Sequence, residues 1–384
     1  MEDGSRVWRK LERRADWQIA FAITAALRLV YTGVAAAAAV FLHPDARLIQ
    51  SNAFSETLPV PGGWHYALLG IWQRFDTLWY LRIAERGYDL PAGVVFYPLY
   101  PWLIRGLSGL AGPMAAALLI STVAAFFYFW GLLRMVRSEF PNAQPLRTVM
   151  LVAAWPASFF FFAGYTEALA VALIVWCDDL ARDERWVAAA ACAFAAGLTR
   201  SAGTLAIVPL AIMAWRAWRA TRRPAPWPVA IAPLGTLGYW FWLHQTERLS
   251  VAAAYRTYWN TEVAGPWTTL WQAIGSLLEH FDPLVAISLV TLIFFFVAGV
   301  AARRRMRIEN RCFSASVIVH LLLRLCSPPL LGAPRYLLPV YPAYITMGNW
   351  AGKMKRTRFA FLCGTLFAFN LAWMWAFLSW SLVL

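Results

Sequence analysis

A few polar residues break the long apolar runs of this chain, and their types suggest chemistry. They include Asp76, Glu85, Glu167, Arg200, Asn260, Glu262 and Arg335. Charges at membrane depth are costly, so such residues mark a site or pair with one another. Asp76 lies in Arg74-Phe75-Asp76-Thr77-Leu78-Trp79-Tyr80-Leu81-Arg82, among bulky apolar neighbours. A carboxylate there can accept a proton from a hydroxyl nucleophile, with partial burial raising its pKa. It can equally cap a short helix or pair with Arg74 or Arg82. Arg200, in Leu198-Thr199-Arg200-Ser201-Ala202-Gly203, and Arg335, in Gly332-Ala333-Pro334-Arg335-Tyr336, need anions. A phosphate held bidentately would serve, as would a carboxylate such as Glu167, or the side chains could snorkel to headgroups. Glu167 also stands where an acid would cap a helix.

These residues need a scaffold, and the composition says which kind. Of 384 residues, 60% are apolar, 16% aromatic and 14% charged. Soluble domains carry about 25% charged residues. The composition therefore excludes a water-soluble single-domain enzyme, a disordered chain and a disulfide scaffold, and predicts a polytopic membrane protein. The net charge of +14 does not predict a nucleic-acid partner. The basic residues come in short clusters between apolar runs, as in cytoplasmic loops. The five cysteines form no C-x-x-C pair and read as buried, inert thiols.

The pattern predicts an all-α transmembrane bundle of about 11 spans forming a single domain. Residues 1–16 form a cytoplasmic tail and 17–42 an uncleaved first span. Residues 43–111 form an extracytoplasmic loop with interfacial helices. Spans 2–7 occupy 112–243, a second extracytoplasmic loop 244–280, and spans 8–11 residues 281–384. Basic clusters such as Arg303-Arg304-Arg305 then fall inside, while the other side holds single arginines. Crossing twice within 94–133 would reverse every later loop, so Phe96–Leu110 is expected to lie in the interface or re-enter. The C-terminus is expected outside, and the polar residues named above gather at the outer face.

Other motifs are missing from the sequence. It has no G-x-x-x-x-G-K-[ST] and no G-x-G-x-x-G. The histidines (43, 65, 244, 280, 320) have no metal-ligand spacing. Asp178-Asp179 and Asp183-Glu184 fall on the cytoplasmic side, which disfavours a nucleotide-sugar donor with its metal. No cofactor and no metal are expected.

Several blocks, in this order, resemble the PIG-V family, the glycosylphosphatidylinositol mannosyltransferase 2 type. The matching residues are Phe75-Asp76 with Leu81, Ile83, Ala84, Gly87 and Tyr88; then Phe96-Tyr97-Pro98 with Pro101; then Pro156-Ala157-Ser158 with Tyr165-Thr166-Glu167; then Thr199-Arg200-Ser201-Ala202-Gly203. The Arg335-Tyr336 turn resembles a later block. Phe75 replaces the family's usual Trp, Thr166 a Ser, and Ala202 an Asn. The chain is compact, like a prokaryotic relative.

The resemblance implies a GT-C fold with an extracytoplasmic site. It also implies a polyprenyl-phosphate sugar donor, here polyprenyl-phosphate mannose, and a glycolipid or lipid-linked acceptor. On this reading the enzyme is an inverting mannosyltransferase in the cytoplasmic membrane, surrounded by membrane lipids. Asp76 is the general base, and Arg200 and Arg335 hold the donor phosphate. Glu167, Tyr165 and Glu85 position substrate or the arginines, and Trp72, Tyr97 and Trp259 stack on sugar or lipid. Alternatives are another polyprenyl-linked sugar, a transporter or flippase, and a non-catalytic subunit of a glycosylation complex. A transporter predicts ionisable residues near mid-membrane and an inverted repeat, whereas here the polar residues gather at one face and no repeat is seen.

Overall fold

The computed structural model describes residues 2–42, 63–139, 144–222, 227–303 and 306–381, with side chains from Asp16 onward. The basic side chains of the first 15 residues, and Arg47, Arg223, Arg304 and Arg305, lie outside the described residues.

The protein is almost entirely helical, as the composition predicts. The main helices are α1 (Glu2–Phe41), α2 (Asp76–Arg86), α3 (Leu99–Ala111), α4 (Pro113–Glu139), α5 (Pro145–Ala154), α6 (Glu167–Arg182), α7 (Trp186–Gly197), α8 (Ile207–Thr221), α9 (Leu234–Gln245), α10 (Val251–Trp259), α11 (Pro266–Glu279), α12 (Pro283–Ala302), α13 (Ile308–Leu322), α14 (Tyr341–Ala351) and α15 (Arg356–Leu378). One antiparallel ribbon joins β1 (Thr261–Val263) to β2 (Arg324–Cys326), with Thr261 opposite Cys326 and Val263 opposite Arg324.

By length and composition, five described segments can each cross a bilayer. These are Asp16–Phe41, Pro113–Arg137, Ser201–Thr221, Pro283–Ala302 and Arg356–Leu378. The other six spans expected from sequence correspond to helices α5, α6, α7, α9, α13 and α14, of 10 to 16 residues. Proline explains several of the short lengths. It cannot donate to the helical ladder and clashes with the preceding turn. Thus α5 ends at Ala154, ahead of Pro156, and the chain resumes as a 3-10 turn over Ser158–Phe161. Likewise the Ala333–Tyr336 turn is separated from α14 by Pro339.

Small residues let the central helices approach closely. Ala35 and Ala38 of α1 are fully buried, as are Ala117 and Ala125 of α4, where α1 and α4 pack together. α4, α6 and α7 form the middle of the bundle. Arg28, within the first span, is satisfied without a carboxylate. It donates to Thr122 Oγ1 at 2.8 Å, to the Phe162 carbonyl at 2.8 Å and to the Leu118 carbonyl at 3.2 Å.

The 13-residue helix α3 is shorter than the ~20 residues a straight crossing needs. It packs on α2 and α4. All five cysteines are free thiols; Cys177 and Cys363 are buried and the others half-buried.

Ion pairs gather at the other end of α6, about four turns from Glu167. Arg134 meets Asp179 at 2.7 Å, Arg182 meets Asp178 at 3.0 Å, and Arg182 lies 3.5 Å from Glu309. These pairs tie α4 and α13 to α6.

Candidate active site

Three interruptions of helix meet at one end of the bundle, and each coincides with a polar block of the sequence. Non-helical backbone at membrane depth is tolerated where it is buried in protein or lines a cavity. Residues 155–166 deliver Glu167 to the first turn of α6. Residues 198–206 carry Arg200 in extended backbone ahead of a 3-10 turn. Residues 327–340 carry Arg335 in a single helical turn.

Two glycines make this convergence possible. A Cβ on Gly164 would stand 2.7 Å from Thr77 Cγ2, next to Asp76. A Cβ on Gly203 would stand 1.9 Å from the Ala196 carbonyl oxygen. The Leu99 amide donates to the Leu198 carbonyl at 3.0 Å, which joins the Phe96–Pro101 block to the Arg200 turn.

Asp76 opens α2, directly after Phe75. Phe75 holds φ +47°, a region L-residues rarely adopt. Ring contacts fix it there, with centroids 5.0 Å from Trp380 and 5.5 Å from Phe377. The Asp76 amide donates to Tyr165 Oη at 3.3 Å. Its carboxylate lies 3.0 Å from Arg335 Nη1. Neither local partner from the sequence takes it. Arg82 pairs with Asp89 at 2.8 Å, and Arg74 donates to the Leu378 carbonyl at 2.7 Å.

Glu167 is the second carboxylate. Its Oε1 accepts from Arg200 Nη1 at 2.6 Å and lies 3.2 Å from Arg335 Nε. Arg335 is thus shared by both acids, and its Nη2 donates to Tyr336 Oη at 2.9 Å. The rings of Tyr336, Tyr165 and Phe160 lie within 5.4 Å of its guanidinium carbon. The two carboxylates differ in access: the Asp76 side chain is 20% exposed, Glu167 only 2%. Burial pushes the Asp76 carboxyl above the usual carboxylate range, and the Arg335 charge opposes that rise in part.

These groups line a cavity of about 400 Å³. Trp79, Phe96 and Trp259 form an aromatic wall with centroids 5.4 to 5.7 Å apart. The buried Trp259 Nε1 has no partner. Tyr97 also lines the cavity, and its hydroxyl accepts from Trp240 Nε1 at 3.2 Å. Tyr165 stands behind Asp76 and Arg335 and does not line the cavity.

Two expected positioning residues lie elsewhere. Trp72 is fully buried, its ring 5.8 Å from the Arg28 guanidinium carbon. Glu85 is exposed toward the far end of α2 and does not line the cavity. On a helix, nine residues place it well away from Asp76. Arg200 and Arg335, expected at a phosphate, are engaged by carboxylates. Three residues the sequence did not single out do line the cavity: Arg324, His320 and Tyr255. Arg324 ends an apolar run, which reads like any snorkelling arginine. Among the described residues, no group of three or more His, Cys, Asp or Glu could hold a metal.

No protein-family model and no curated protein matches the chain. Among solved structures, it is similar to ArnT from Cupriavidus metallidurans bound to undecaprenyl phosphate. The TM-score is 0.50 at 16% identity, covering 90% of this chain and 62% of that one. The chain therefore spans less than two thirds of the length of ArnT. The likeness shows the fold: an all-α, polytopic membrane bundle that this chain shares with ArnT.

Proposed function

We propose that this protein is an integral-membrane glycosyltransferase. It moves a sugar from a polyprenyl-phosphate donor to a hydroxyl of a glycolipid or lipid-linked acceptor. The observation that carries this reading is Asp76, the more exposed of the two carboxylates that line the cavity. The likeness to ArnT, whose structure is bound to undecaprenyl phosphate, supports a lipid-phosphate donor. The choice of mannose rests on the sequence blocks alone.

The step balances as follows. The acceptor oxygen bonds to the anomeric carbon, and its proton passes to the Asp76 carboxylate. The bond from that carbon to the phosphate oxygen breaks, and its electron pair leaves with the polyprenyl phosphate. Retention would need a second carboxylate free to attack the sugar. Glu167 is buried and committed to two arginines, which favours single displacement with inversion. Arg335 holds the Asp76 carboxylate in place, while Glu167 and Arg200 brace Arg335 from behind. Tyr97, Trp79 and Trp259 supply faces for sugar stacking.

Positively charged loops favour the cytoplasm. The clusters at 134–147, 182–185, 216–222 and 353–358 belong to the end of the bundle away from Asp76. That arrangement favours the extracytoplasmic side of the cytoplasmic membrane for the proposed site.

The test supplies purified protein with polyprenyl-phosphate mannose, other polyprenyl-phosphate sugars and candidate glycolipid acceptors. Transfer that depends on the lipid donor and falls in Asp76→Asn supports the reading. Equal transfer by Asp76→Asn removes the base. Transfer from a nucleotide sugar alone overturns the donor.

A further inference from the structure

Five charged residues line the cavity, apart from His320, and four of them cancel. Asp76 and Glu167 meet Arg200 and Arg335 at 2.6 to 3.2 Å. The fifth is Arg324, for which no ion pair with a carboxylate is found among the described residues. Its guanidinium carbon lies 4.2 Å from the Tyr336 ring centroid and 5.4 Å from that of Tyr255. Aromatic faces stabilise a cation but leave its charge uncompensated.

Arg324 is also firmly placed. It begins β2, opposite Val263, and the neighbouring Ala264 amide donates to the Leu323 carbonyl at 3.0 Å. His320 lies one helical turn earlier, with its Nε2 3.2 Å from Ser201 Oγ.

A second chamber of about 470 Å³ adjoins the first, between α9, α10 and the ribbon. Its wall includes Trp240, Leu243, Val251, Ala252 and Val263, and its charged residues besides Arg324, namely Arg248 (bonded to the Tyr88 carbonyl) and Glu262, are of opposite sign. Six residues line both chambers: Tyr97, Ser201, Tyr255, Thr261, His320 and Arg324. They form a neck, with the acid–arginine cluster on one side and the mainly apolar wall on the other. A ligand filling both chambers would place its own polar–apolar junction there.

We propose that Arg324, with His320 and Ser201 beside it, seats a single phosphate group. The prenyl tail of that ligand occupies the second chamber, and its sugar faces Asp76. The inference rests on the glycosyl-transfer reading and moves the phosphate away from Arg200 and Arg335. One uncompensated cation matches a phosphodiester, which carries one negative charge. It does not match a diphosphate, which carries at least two. When the glycosyl bond breaks, the phosphate gains the electron pair and a second negative charge, while the acceptor proton neutralises Asp76. Arg324 then faces the charge that grows.

Binding of undecaprenyl phosphate, undecaprenol, undecaprenyl diphosphate and inorganic phosphate to the full-length protein in detergent tests the proposal, read by native mass spectrometry. Undecaprenyl phosphate, a monoester with between one and two negative charges near pH 7, lies closer to that charge match than the diphosphate and is expected to bind most tightly. Arg324→Gln should weaken it by about tenfold or more, as befits a lost charge-assisted contact, and Arg324→Lys by much less. Ala252→Trp, at an exposed position on α10, should weaken undecaprenyl phosphate and spare inorganic phosphate.

Undiminished undecaprenyl phosphate binding by Arg324→Gln overturns the seat and leaves the transfer reading standing. If Arg324→Gln does not fold, unchanged lipid binding by Ala252→Trp overturns the chamber assignment in the same way. Inorganic phosphate binding as tightly as the lipid overturns the tail chamber. Tighter binding of the diphosphate overturns the charge match. A wild-type protein that binds no prenyl phosphate overturns this inference together with the donor reading.

Discussion

Arg335 Nη1 stands 3.0 Å from the Asp76 carboxylate, and the Nε of the same guanidinium stands 3.2 Å from Glu167. One cation therefore braces two acids of unequal exposure. Both acids line the cavity, the more exposed one presenting more of its carboxylate to it, and the other reinforces the brace through Arg200. This asymmetry suits the base role proposed for Asp76 and a bracing role for Glu167.

As the proposed base, Asp76 must be ionised to accept a proton, so transfer is expected above its pKa and lost as pH falls through it. Burial raises that pKa, and Arg335 restrains the rise. The acid limb of kcat/KM should lie above the ordinary value of about 4 for Asp. In Arg335→Gln it should move higher still, with a lower plateau. Profiles from pH 4.5 to 8 check this. A limb at the same pH in both proteins would show that another group titrates.

Removing Glu167 leaves two arginine charges without that acid in a closed site. Breaking a buried pair from one side costs about 3–5 kcal/mol. Glu167→Gln should lower thermal stability in detergent accordingly. Glu167→Gln/Arg200→Met should lose less than the two single variants added together. Strict additivity would mean that the 2.6 Å contact carries no coupling.

Gly164 lets the Tyr165–Glu167 turn press against α2. Gly164→Ala would drive a Cβ to 2.7 Å from Thr77 Cγ2. Overpacking of this kind costs about 1–3 kcal/mol. It should also shift Asp76 and depress kcat. Thr77→Ala removes the clashing methyl and should restore most of both losses. Thermal melts and initial rates of the two variants decide the matter.

Trp259 offers the cavity a ring face, while its indole N–H is buried away from the cavity with no partner among the described residues. Trp259→Phe keeps the face, and Trp259→Ala removes it. Ring contacts contribute about 0.5–1.5 kcal/mol. KM for the sugar donor should change little in Trp259→Phe, which keeps the face, and rise several-fold to about tenfold in Trp259→Ala. Equal KM values in all three proteins would remove Trp259 from substrate contact.

The sequence determined the solvent of this protein, its helical class and the order of its polar blocks. Those features are local. An apolar run is visible wherever it stands, proline ends a helix through its own ring, and an isolated charge in such a run stands out because burying it costs so much. Asp76, Glu167, Arg200 and Arg335 were legible for that reason.

Tertiary structure decided which of them meet and which neighbours face the cavity. Asp76 chose Arg335 over the nearer Arg74 and Arg82 because the turn after Pro334 brings a rigid guanidinium to its carboxylate. Trp72 and Trp79 look alike in the sequence, yet one packs under Arg28 and the other walls the cavity. Arg324 gains its meaning only from Tyr255, Tyr336 and the chamber between α9 and α10. Long-range pairing depends on the geometry of several packed helices, which no local window of residues contains.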